Sequence, residues 1–300
     1  MTPAASPRVA NDLDVVIVSF NCVDLVEACL SSLQRHPLRS GRMNVHLVDN
    51  ASGDGTVEIV RARFPDVTVW PLDENVGFSA ANNIVLRATD APYALLLNPD
   101  TEATDGALDY MVELMRQRTD VGIAGCRLVL PDGTFDHAAK RSFPTPLSAL
   151  AHFTGIGRRL SRGGLAQYRA PDLSETSAGR VDAVNGAFML VRRNAMEQVG
   201  LLDEGYWLYM EDLDWCYRFW QGGWTIWYDG QATFIHVKGG TSGQHRAARQ
   251  NIAFHRGMGR FYRRFQASEH PWIAPLVYAG IGMKLAISLV RSAVATRSPA

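Results

Sequence analysis

The chain has 300 residues, of which 47% are hydrophobic, so it can bury one sizeable core or one large and one small core. Its 30 basic and 30 acidic residues balance, so the whole chain has no electrostatic bias, and we expect no nucleic-acid partner. The charges are nevertheless unevenly distributed, because ten basic residues and a single acid, Glu269, follow Gly230. A basic C-terminal part on an acidic body indicates a polyanion or an anionic membrane as a neighbour.

The cysteines and the N-terminus both indicate a cytoplasmic protein. The cysteines form no Cys-x-x-Cys motif and no framework spacing, which predicts small buried side chains in a reducing compartment: Cys22, Cys29, Cys126 and Cys216. Residues 1–12 are polar and rich in proline and alanine, without the apolar segment of a secretory signal, and we expect them to be disordered.

The N-terminal part of the chain predicts a strict alternation of strands and helices. Short apolar runs predict strands at residues 14–20, 45–48, 67–70 and 93–97, and helical patterns lie between them. Alternation of this kind implies right-handed crossovers and a mainly parallel sheet, which places the chain in the α/β class.

The strand predicted at residues 93–97 stops at Asn98-Pro99-Asp100. Pro99 has no N–H and a fixed φ, so the sheet ladder cannot continue through it. Asp100 is therefore predicted to lie at the carboxyl end of a central strand, where open α/β sheets bind their ligands. For this segment alone, a strand that simply ends in a turn is the alternative. The first two strands also end in polar residues, which favours a site at this edge.

The second half of the chain is less regular. It predicts strands at residues 121–124, 127–130, 181–184, 188–191, 225–228 and 233–236, and helices near residues 108–115 and 194–199. Residues 137–179 are rich in proline, glycine and arginine and only weakly periodic, which predicts a long, partly mobile loop. Near residue 211 a new helix is expected to carry Glu211, Asp212 and Asp214 in its first turn, where the helix dipole favours acids. Asp214 and Arg218 are spaced to pair.

Residues 243–300 are predicted to form basic amphipathic and apolar helices. The first, at residues 246–265, has four apolar residues on one face and five arginines around it: Phe254, Met258, Phe261 and Phe265, with Arg249, Arg256, Arg260, Arg263 and Arg264. The second, at residues 272–290, is interrupted by Pro275 and Lys284, so we favour a helix at the surface of an anionic membrane over a spanning helix. A helical pair packed on the main domain is the alternative.

Six short motifs occur along the chain in a fixed order: Val18-Ser19-Phe20-Asn21, Val48-Asp49-Asn50-Ala51-Ser52, Asn75-Val76-Gly77-Phe78, Asn98-Pro99-Asp100, Glu211-Asp212 and His236. In this order they resemble the inverting family 2 glycosyltransferases of GT-A fold, and most of all the bacterial rhamnosyltransferase-like branch. The resemblance covers residues 14–242. It implies a GT-A catalytic domain at residues 13–242, with a Rossmann-like mixed, mainly parallel sheet flanked by helices.

The resemblance implies a nucleotide-sugar donor at the polar edge of the sheet. Donor contacts are then expected from seven residues: Ser19, Asn21, Asp49, Asn75, Gly77, Asn98 and Asp100. Asp49 would accept the imide N–H of a pyrimidine, although a role in capping its own turn is compatible. Asn75 and Gly77 would let the backbone approach the nucleotide, and an ordinary glycine at the start of a helix is the alternative.

The resemblance also implies a divalent cation, Mg²⁺ or Mn²⁺, on the donor diphosphate. Asp100 can supply a carboxylate ligand for it. The family has an Asp-x-Asp motif at this point, but here Asn98 replaces the first acid, which leaves one fewer charge on the metal. His236 is implied as a second ligand, and a structural role for this histidine is the alternative.

Inversion needs one carboxylate that takes the proton of the acceptor hydroxyl. By the resemblance we assign this role to Asp212, and Glu211 and Asp214 are its competitors. The alternative is that the three acids only stabilise the start of a helix. Tyr206, Trp207 and Glu211 are the expected acceptor contacts.

The predicted function is transfer of a sugar, with L-rhamnose from dTDP-L-rhamnose as the leading donor, onto a glycan or a polyprenyl-diphosphate-linked sugar in cell-envelope synthesis. With a lipid-linked acceptor the enzyme would be peripheral on the inner face of the plasma membrane, and the arginines of residues 246–265 would also face the diphosphate. Another UDP or dTDP sugar, including a furanose, is the runner-up. A Rossmann oxidoreductase lacks its Gly-x-Gly-x-x-Gly, and a non-catalytic glycan-binding protein would not explain Asp100, Asp212 and His236.

Overall fold

One central sheet organises the computed structural model, which describes residues 11–144, 173–237, 248–269 and 271–295. Its strands are β1 (Leu13–Ser19), β2 (Met43–Asp49), β3 (Val67–Pro71), β4 (Tyr93–Leu97), β5 (Thr101–Ala103), β6 (Val121–Val129), β8 (Ala178–Arg180), β10 (Phe188–Arg192) and β11 (Thr225–His236). Two further strands, β7 (Lys140–Arg141) and β9 (Ala183–Val184), pair only with each other. The main sheet has the order β3-β2-β1-β4-β10-β6-β11-β5, and β8 pairs with β11.

The sheet is mainly parallel. β1 pairs in parallel with β2 and β4, β2 with β3, and β6 with β11. β10 runs antiparallel between β4 and β6, and β5 runs antiparallel to β11. The mixed, mainly parallel sheet and its four N-terminal strands are thereby confirmed.

Helices cover both faces of this sheet: α1 (Val23–Arg35), α2 (Thr56–Arg63), α3 (Phe78–Ala88), α4 (Ala107–Gln117), α5 (Arg193–Val199), α6 (Glu211–Gln221), α7 (Ala248–Phe265) and α8 (Ala274–Ala295). Along β1, Val15 and Ile17 join a core cluster with α1, α2 and α4, whereas Val16 and Val18 join one with α3, α6 and α7. Burial on both faces explains why the strands are continuous apolar runs. All four cysteines are buried free thiols, as predicted.

Two predictions for the second half are wrong, and a third is corrected at the ends that the structure describes. Residues 121–124 and 127–130 form one strand, β6, and residues 225–228 and 233–236 form one strand, β11, because these two strands pair along their length. The register of β11 shifts between Asp229 and Thr233, where Asp229 Oδ1 accepts the Gln231 N–H at 3.0 Å, so polar residues interrupt a single strand. The predicted loop at residues 137–179 contains β7 and the start of β8, although residues 145–172 lie outside the described part.

The apolar face of α7 lies on the main domain. Phe261 is only 1% exposed, the ring of Phe265 lies 4.4 Å from that of Tyr217 on α6, and Phe254 lies 5.9 Å from Tyr209. This face was expected to meet a bilayer. The domain covers it instead, so that expectation is corrected and packing on the main domain holds for α7.

Helix α8 lies antiparallel along α7. Asn251 Nδ2 donates a hydrogen bond to Ser292 Oγ at 2.8 Å, and the rings of Tyr262 and Tyr278 lie 5.6 Å apart. By length and composition alone, Ala274–Ser292 could cross a membrane, with a mean hydropathy of 1.3 and 17% of its residues buried. Core helices of soluble proteins can meet the same criteria.

Asp214 anchors the start of α6. Its side chain is fully buried and accepts hydrogen bonds from Arg218 Nε at 2.7 Å, Tyr206 Oη at 3.1 Å and Arg264 Nη1 at 3.2 Å. The predicted pair with Arg218 is confirmed, and a cation from α7 joins it. Because its oxygens are engaged in the core, Asp214 has a structural role.

We predict that Asp214→Asn lowers the free energy of unfolding by about 3–5 kcal/mol, because the loss of one partner leaves the buried Arg218 charge uncompensated. Urea denaturation measures this change. The matched control is Asp120→Asn, whose side chain is 46% exposed beside Arg118 and should cost at most about 1 kcal/mol. Equally small losses in the two variants would contradict the anchoring role of Asp214.

Candidate active site

The loops after β1 and β2 are joined by polar side chains. Ser19 Oγ donates to Asp49 Oδ1 at 3.1 Å, and Asp49 Oδ2 accepts the Ser52 N–H at 2.8 Å. Asn21 receives the Gly53 N–H on its Oδ1 at 2.8 Å and donates its own N–H to Ser52 Oγ at 2.9 Å. Asp49 therefore caps its own turn, as the alternative stated. Its contact with a pyrimidine stays a prediction.

Asn50 extends this network to the segment before α3. Its Nδ2 donates to the Gly77 carbonyl at 3.2 Å, and its Oδ1 accepts the Val76 N–H at 2.9 Å. Asn75 Oδ1 accepts the Gly77 N–H at 3.1 Å. The carboxyl edge of β2 is thus tied to the first turn of α3.

Gly77 allows a close approach by Trp207. Its φ is +89°, and a Cβ at this position would lie 2.5 Å from both Cδ1 and the carbonyl oxygen of Trp207. That carbonyl accepts the Phe78 N–H at 2.7 Å, and Trp207 Nε1 donates to the Asn75 carbonyl at 3.4 Å. The structure therefore gives the glycine a protein neighbour where a nucleotide was expected, and its donor contact stays a prediction.

Asp100, His236 and Asp136 lie in a row at the other end of the edge. His236 Nε2 is 3.5 Å from Asp100 Oδ1, and its Nδ1 is 2.9 Å from Asp136 Oδ2. The pairing of β5 with β11 sets Thr101 opposite His236, which brings the two predicted ligands together. Burial alone would lower the pKa of His236, but its hydrogen bonds to the two carboxylates outweigh burial and raise the pKa to about 9.

The side chain of Asp212 accepts hydrogen bonds from an arginine and from two backbone N–H groups. Its Oδ2 accepts Arg141 Nη2 at 2.5 Å and the Gly186 N–H at 3.1 Å, and its Oδ1 accepts the Leu213 N–H at 2.7 Å. One residue further along the same turn, the Ala187 carbonyl accepts the Asn98 N–H at 3.0 Å. The turn before β10 therefore joins the end of β4 to the start of α6.

Glu211 and Asp212 are adjacent but have different surroundings. Glu211 is 6% exposed, and within the described part of the chain its Oε2 has no hydrogen-bond partner. Burial, followed by the nearby charge of Asp212, raises the pKa of Glu211 to about 8. Burial therefore favours the neutral form of Glu211, whereas Asp212 has a guanidinium partner.

The two aromatic residues expected at the acceptor site differ. Tyr206 is 2% exposed and its hydroxyl donates to Asp214, so the core occupies it and the prediction of an acceptor contact is wrong. Trp207 is half-buried, and the Arg249 guanidinium lies 4.0 Å from the centre of its ring. Only Trp207 of this pair is accessible from the edge.

Four non-glycine residues with positive φ lie in the loops of this edge: Asn21, Ala51, Tyr209 and Met210. Tyr209 and Met210 are consecutive, with φ of +69° and +74°, and directly precede the acids of α6. Gly257 of α7 packs against them, because a Cβ there would lie 3.1 Å from the Tyr209 carbonyl oxygen. Strained backbone held by its surroundings is typical of functional sites.

A sequence model of glycosyl transferase family 2 matches residues 14–199. The chain belongs to this family. An N-acetylglucosaminyl-diphospho-decaprenol L-rhamnosyltransferase of Mycobacterium tuberculosis is 29% identical over 277 residues, which cover 88% of this chain and 87% of the relative. Rhamnosyltransferase WbbL of Escherichia coli is 28% identical over 149 residues, or 47% of this chain and 53% of that protein.

Solved structures share the fold of this family 2 glycosyltransferase at low sequence identity. Mannosyltransferase PcManGT from Pyrobaculum calidifontis, in complex with GDP-Man and Mn²⁺, has a TM-score of 0.57 at 16% identity and covers 99% of this chain and 79% of its own. GalNAc-T7 with UDP, GalNAc and Mn²⁺ has a TM-score of 0.60 at 15% identity. The match covers 85% of this chain and 48% of the GalNAc-T7 chain. The expected GT-A fold is confirmed.

Asp100 and His236 fit a divalent cation as a set of two ligands. A carboxylate oxygen and an imidazole nitrogen face each other, and Asp136 orients the imidazole from behind, as carboxylates do for many metal-binding histidines. Among the described residues, no group of three or more His, Cys, Asp or Glu could hold a metal ion. Further ligands would come from diphosphate oxygens and water, as is usual for Mg²⁺.

Two residues of this site were missed in the sequence. Asp136 reaches His236 because the turn after β6 folds back, with the Asp136 N–H donating to the Leu128 carbonyl at 2.9 Å. Arg141 lies on β7, within the segment predicted as a loop. A strand-ending histidine needs an oriented partner, but nothing in the sequence indicates which acid supplies it.

We predict that Glu211 makes the free energy of unfolding depend on pH. Between its unfolded pKa of 4.5 and its native pKa of about 8, the native state keeps a proton that the unfolded chain releases, so stability falls as pH rises. Glu211→Gln cannot ionise. Its stability relative to the parent protein should therefore grow by up to about 1.4 kcal/mol per pH unit across this window. Urea unfolding of both proteins near pH 5 and near pH 8 measures the difference, and a constant difference would contradict the burial effect.

Proposed function

We propose that this glycosyltransferase transfers L-rhamnose from dTDP-L-rhamnose, with inversion, to a hydroxyl of a polyprenyl-diphosphate-linked sugar in cell-envelope polysaccharide synthesis. The mycobacterial relative supports this proposal, because it aligns with 88% of the chain and is named for an L-rhamnosyltransferase and a diphospho-decaprenol acceptor. The similarity to WbbL, which is named a rhamnosyltransferase, supports the same sugar. A glycan acceptor without the lipid is the alternative.

One observation carries the proposal: hydrogen bonds between neighbouring loops connect the carboxyl edge of the sheet. Ser19 contacts Asp49, Asn50 contacts the Gly77 carbonyl, and the Phe78 N–H donates to the carbonyl of Trp207, which lies in the segment that leads into α6. There the turn at Gly186 joins Asp212 to the end of β4. Groups suited to a base, a diphosphate and a hydroxyl therefore share one edge, where α/β proteins bind nucleotides.

In the proposed mechanism, Ser19, Asn21, Asp49, Asn75 and Asn98 line the donor site, and Asp49 accepts the imide N–H of thymine through the lone pairs that its turn leaves open. Asp100 and His236 would hold Mg²⁺ or Mn²⁺, which when bound neutralises the charge of the leaving diphosphate. The two solved structures with Mn²⁺ and a nucleotide or nucleotide sugar support this cation. Asp136 keeps the His236 ring in position.

Asp212 is the proposed general base. Its Oδ2 is bound by Arg141 and Gly186, so Oδ1 is the oxygen that can take the proton of the acceptor hydroxyl. In-line attack by that hydroxyl on the anomeric carbon then inverts its configuration. Trp207 offers a ring face to the acceptor sugar. Glu211, in its neutral form, is proposed to donate a hydrogen bond to the acceptor sugar.

We propose a cytoplasmic enzyme on the inner face of the plasma membrane. A polyprenyl-diphosphate acceptor lies at the membrane surface, and the basic C-terminal helices match the negative charge of that leaflet. The lipid-linked acceptor in the name of the mycobacterial relative supports this location.

Release of nucleoside diphosphate from a donor panel tests the proposed function. With a polyprenyl-diphosphate-linked N-acetylglucosamine acceptor, we predict rapid dTDP release from dTDP-L-rhamnose and a product of inverted anomeric configuration by NMR. Faster release from another UDP or dTDP sugar would contradict the assignment of dTDP-L-rhamnose as the donor. Absence of release from every donor would favour a non-catalytic glycan-binding protein.

The control for this assay is Asp212→Asn. It should lower kcat by about 10²–10⁴-fold and leave the donor KM nearly unchanged, because loss of a general base acts on the transition state. Glu211→Gln is the matched neighbour and should keep most of the activity. The reverse result would move the base to Glu211.

We predict that Asp100→Ala abolishes turnover while the protein stays folded, because Asp100, although only 3% exposed, follows β4 and belongs to neither large apolar cluster of the core. EDTA should have the same effect on the parent enzyme, and added Mg²⁺ or Mn²⁺ should restore activity. Circular dichroism checks the fold, and metal-dependent activity is the measurement. Full activity of the purified enzyme in EDTA would contradict the metal role.

A further inference from the structure

A basic groove opens beside the active site, between α7, α8 and the segment around Trp207. It has a volume of about 870 Å³, and its lining includes Trp207, Tyr278 and four arginines of α7: Arg249, Arg256, Arg260 and Arg263. Trp207 belongs to both places, because its carbonyl also holds the first residue of α3. A ligand in this groove would therefore extend towards the acids of α6.

The arginines of α7 divide into two sets. Arg260 forms a bidentate pair with Asp203, and Arg264 contacts Asp203 and Asp214 at 2.5 and 3.2 Å, so these two attach α7 to the domain. Arg256 and Arg263 are exposed, and neither has an ion pair or side-chain hydrogen bond with the described residues. Two uncompensated charges therefore face the groove.

The spacing of these arginines places them on one face of the helix. Arg249, Arg256 and Arg263 are each seven residues apart, or about 10 Å along the axis, and a shift of seven residues turns the helix by almost two full turns. Two long guanidinium side chains at that separation can converge on a group between them. Arg249 lies at the Trp207 end, stacked on the indole ring.

We propose that Arg256 and Arg263 bind the diphosphate of a polyprenyl-diphosphate-linked acceptor, an inference that rests on the proposed function. Guanidinium groups match phosphate oxygens in geometry and charge, and two of them match the charge of a diphosphate. From this site the attached sugar extends along Trp207 towards Asp212. The groove thus selects acceptors by their diphosphate and the catalytic edge selects the donor.

The outer surface of α8 supports a lipid-linked ligand. Leu276, Met283, Ile287 and Val290 are between 46% and 63% exposed and lie within about 60° of each other around the helix. On the opposite side, Val277 and Ile281 are buried against α7. This apolar stripe suits the interfacial region of a bilayer, beside a groove that receives the headgroup.

The packing of the two helices favours an interfacial α8 over a spanning one. Contacts at Asn251–Ser292 and at Tyr262–Tyr278 hold α8 along most of α7. A spanning α8 would therefore carry the arginines of α7 into the hydrocarbon region, where charged side chains are costly. With α8 in the plane of the interface, the groove stays at the level of the phosphates.

Vesicle co-sedimentation tests the site without catalysis. The probes are phosphatidylcholine vesicles that contain a polyprenyl diphosphate, the corresponding polyprenol, or phosphatidylglycerol at equal charge. We expect the parent protein to bind the diphosphate vesicles most tightly, and Arg256→Gln with Arg263→Gln to weaken this binding by about tenfold or more. Arg291→Gln removes one charge from α8 outside the groove lining and should bind like the parent.

Equal binding to phosphatidylglycerol and diphosphate vesicles would overturn the site in favour of a general anionic surface, and so would an unchanged affinity of the double variant. Kinetics separate this result from the proposed function. The double variant should raise the KM for the lipid-linked acceptor at least about tenfold and keep the donor KM. If the parent transfers no rhamnose yet binds diphosphate vesicles through these arginines, the proposed function fails and the site stands. Normal transfer by the double variant would refute the site alone.

Discussion

The turn before β10 is the constraint on which the active-site edge depends. β10 enters the sheet antiparallel between β4 and β6, so its preceding turn must lie beside the carboxyl end of β4. There the Ala187 carbonyl accepts the Asn98 N–H, and the Gly186 N–H donates to Asp212. The end of the edge with Asp100 and His236 and the start of α6 are thereby held in a fixed relation although they lie far apart in the sequence. Preorganisation of this kind favours a reaction between two bound substrates.

Charge pairing then attaches the C-terminal helices to this edge. Asp203 and Asp214 lie around the start of α6, and each accepts hydrogen bonds from arginines of α7. Part of the basic excess in the C-terminal part is therefore neutralised inside the molecule, and it stabilises the domain. Two of the remaining basic residues, Arg256 and Arg263, line the groove. The basic residues of the C-terminal part thus serve two purposes: some pair with acids of the domain, and others line the groove. Only the packing of α7 shows which arginines belong to which set.

Local patterns in the sequence were enough to predict the buried parallel strands, because each strand is a short apolar run that ends in polar residues. The order of the motifs was enough to bring Asp100 and His236 together, a pairing that β5 and β11 produce through Thr101. The residues that contact His236 and Asp212 could not be predicted in this way. Asp136 and Arg141 come from segments without periodicity, and their contacts depend on how the chain folds back. The apolar face of α7 could not be assigned either, since the same amphipathic pattern suits a bilayer and a protein core.

The two adjacent acids of α6 show how one helix start can supply two kinds of carboxyl group. Burial raises the pKa of Glu211, so this side chain prefers the neutral form, whereas Asp212 has the Arg141 guanidinium and the Gly186 N–H as donors. Environments that separate two neighbouring acids in this way are a common basis for distinct roles in catalysis. Both of those donors bind Oδ2. The other oxygen, Oδ1, has a single backbone donor among the described residues and keeps a lone pair for the acceptor hydroxyl of the proposed mechanism.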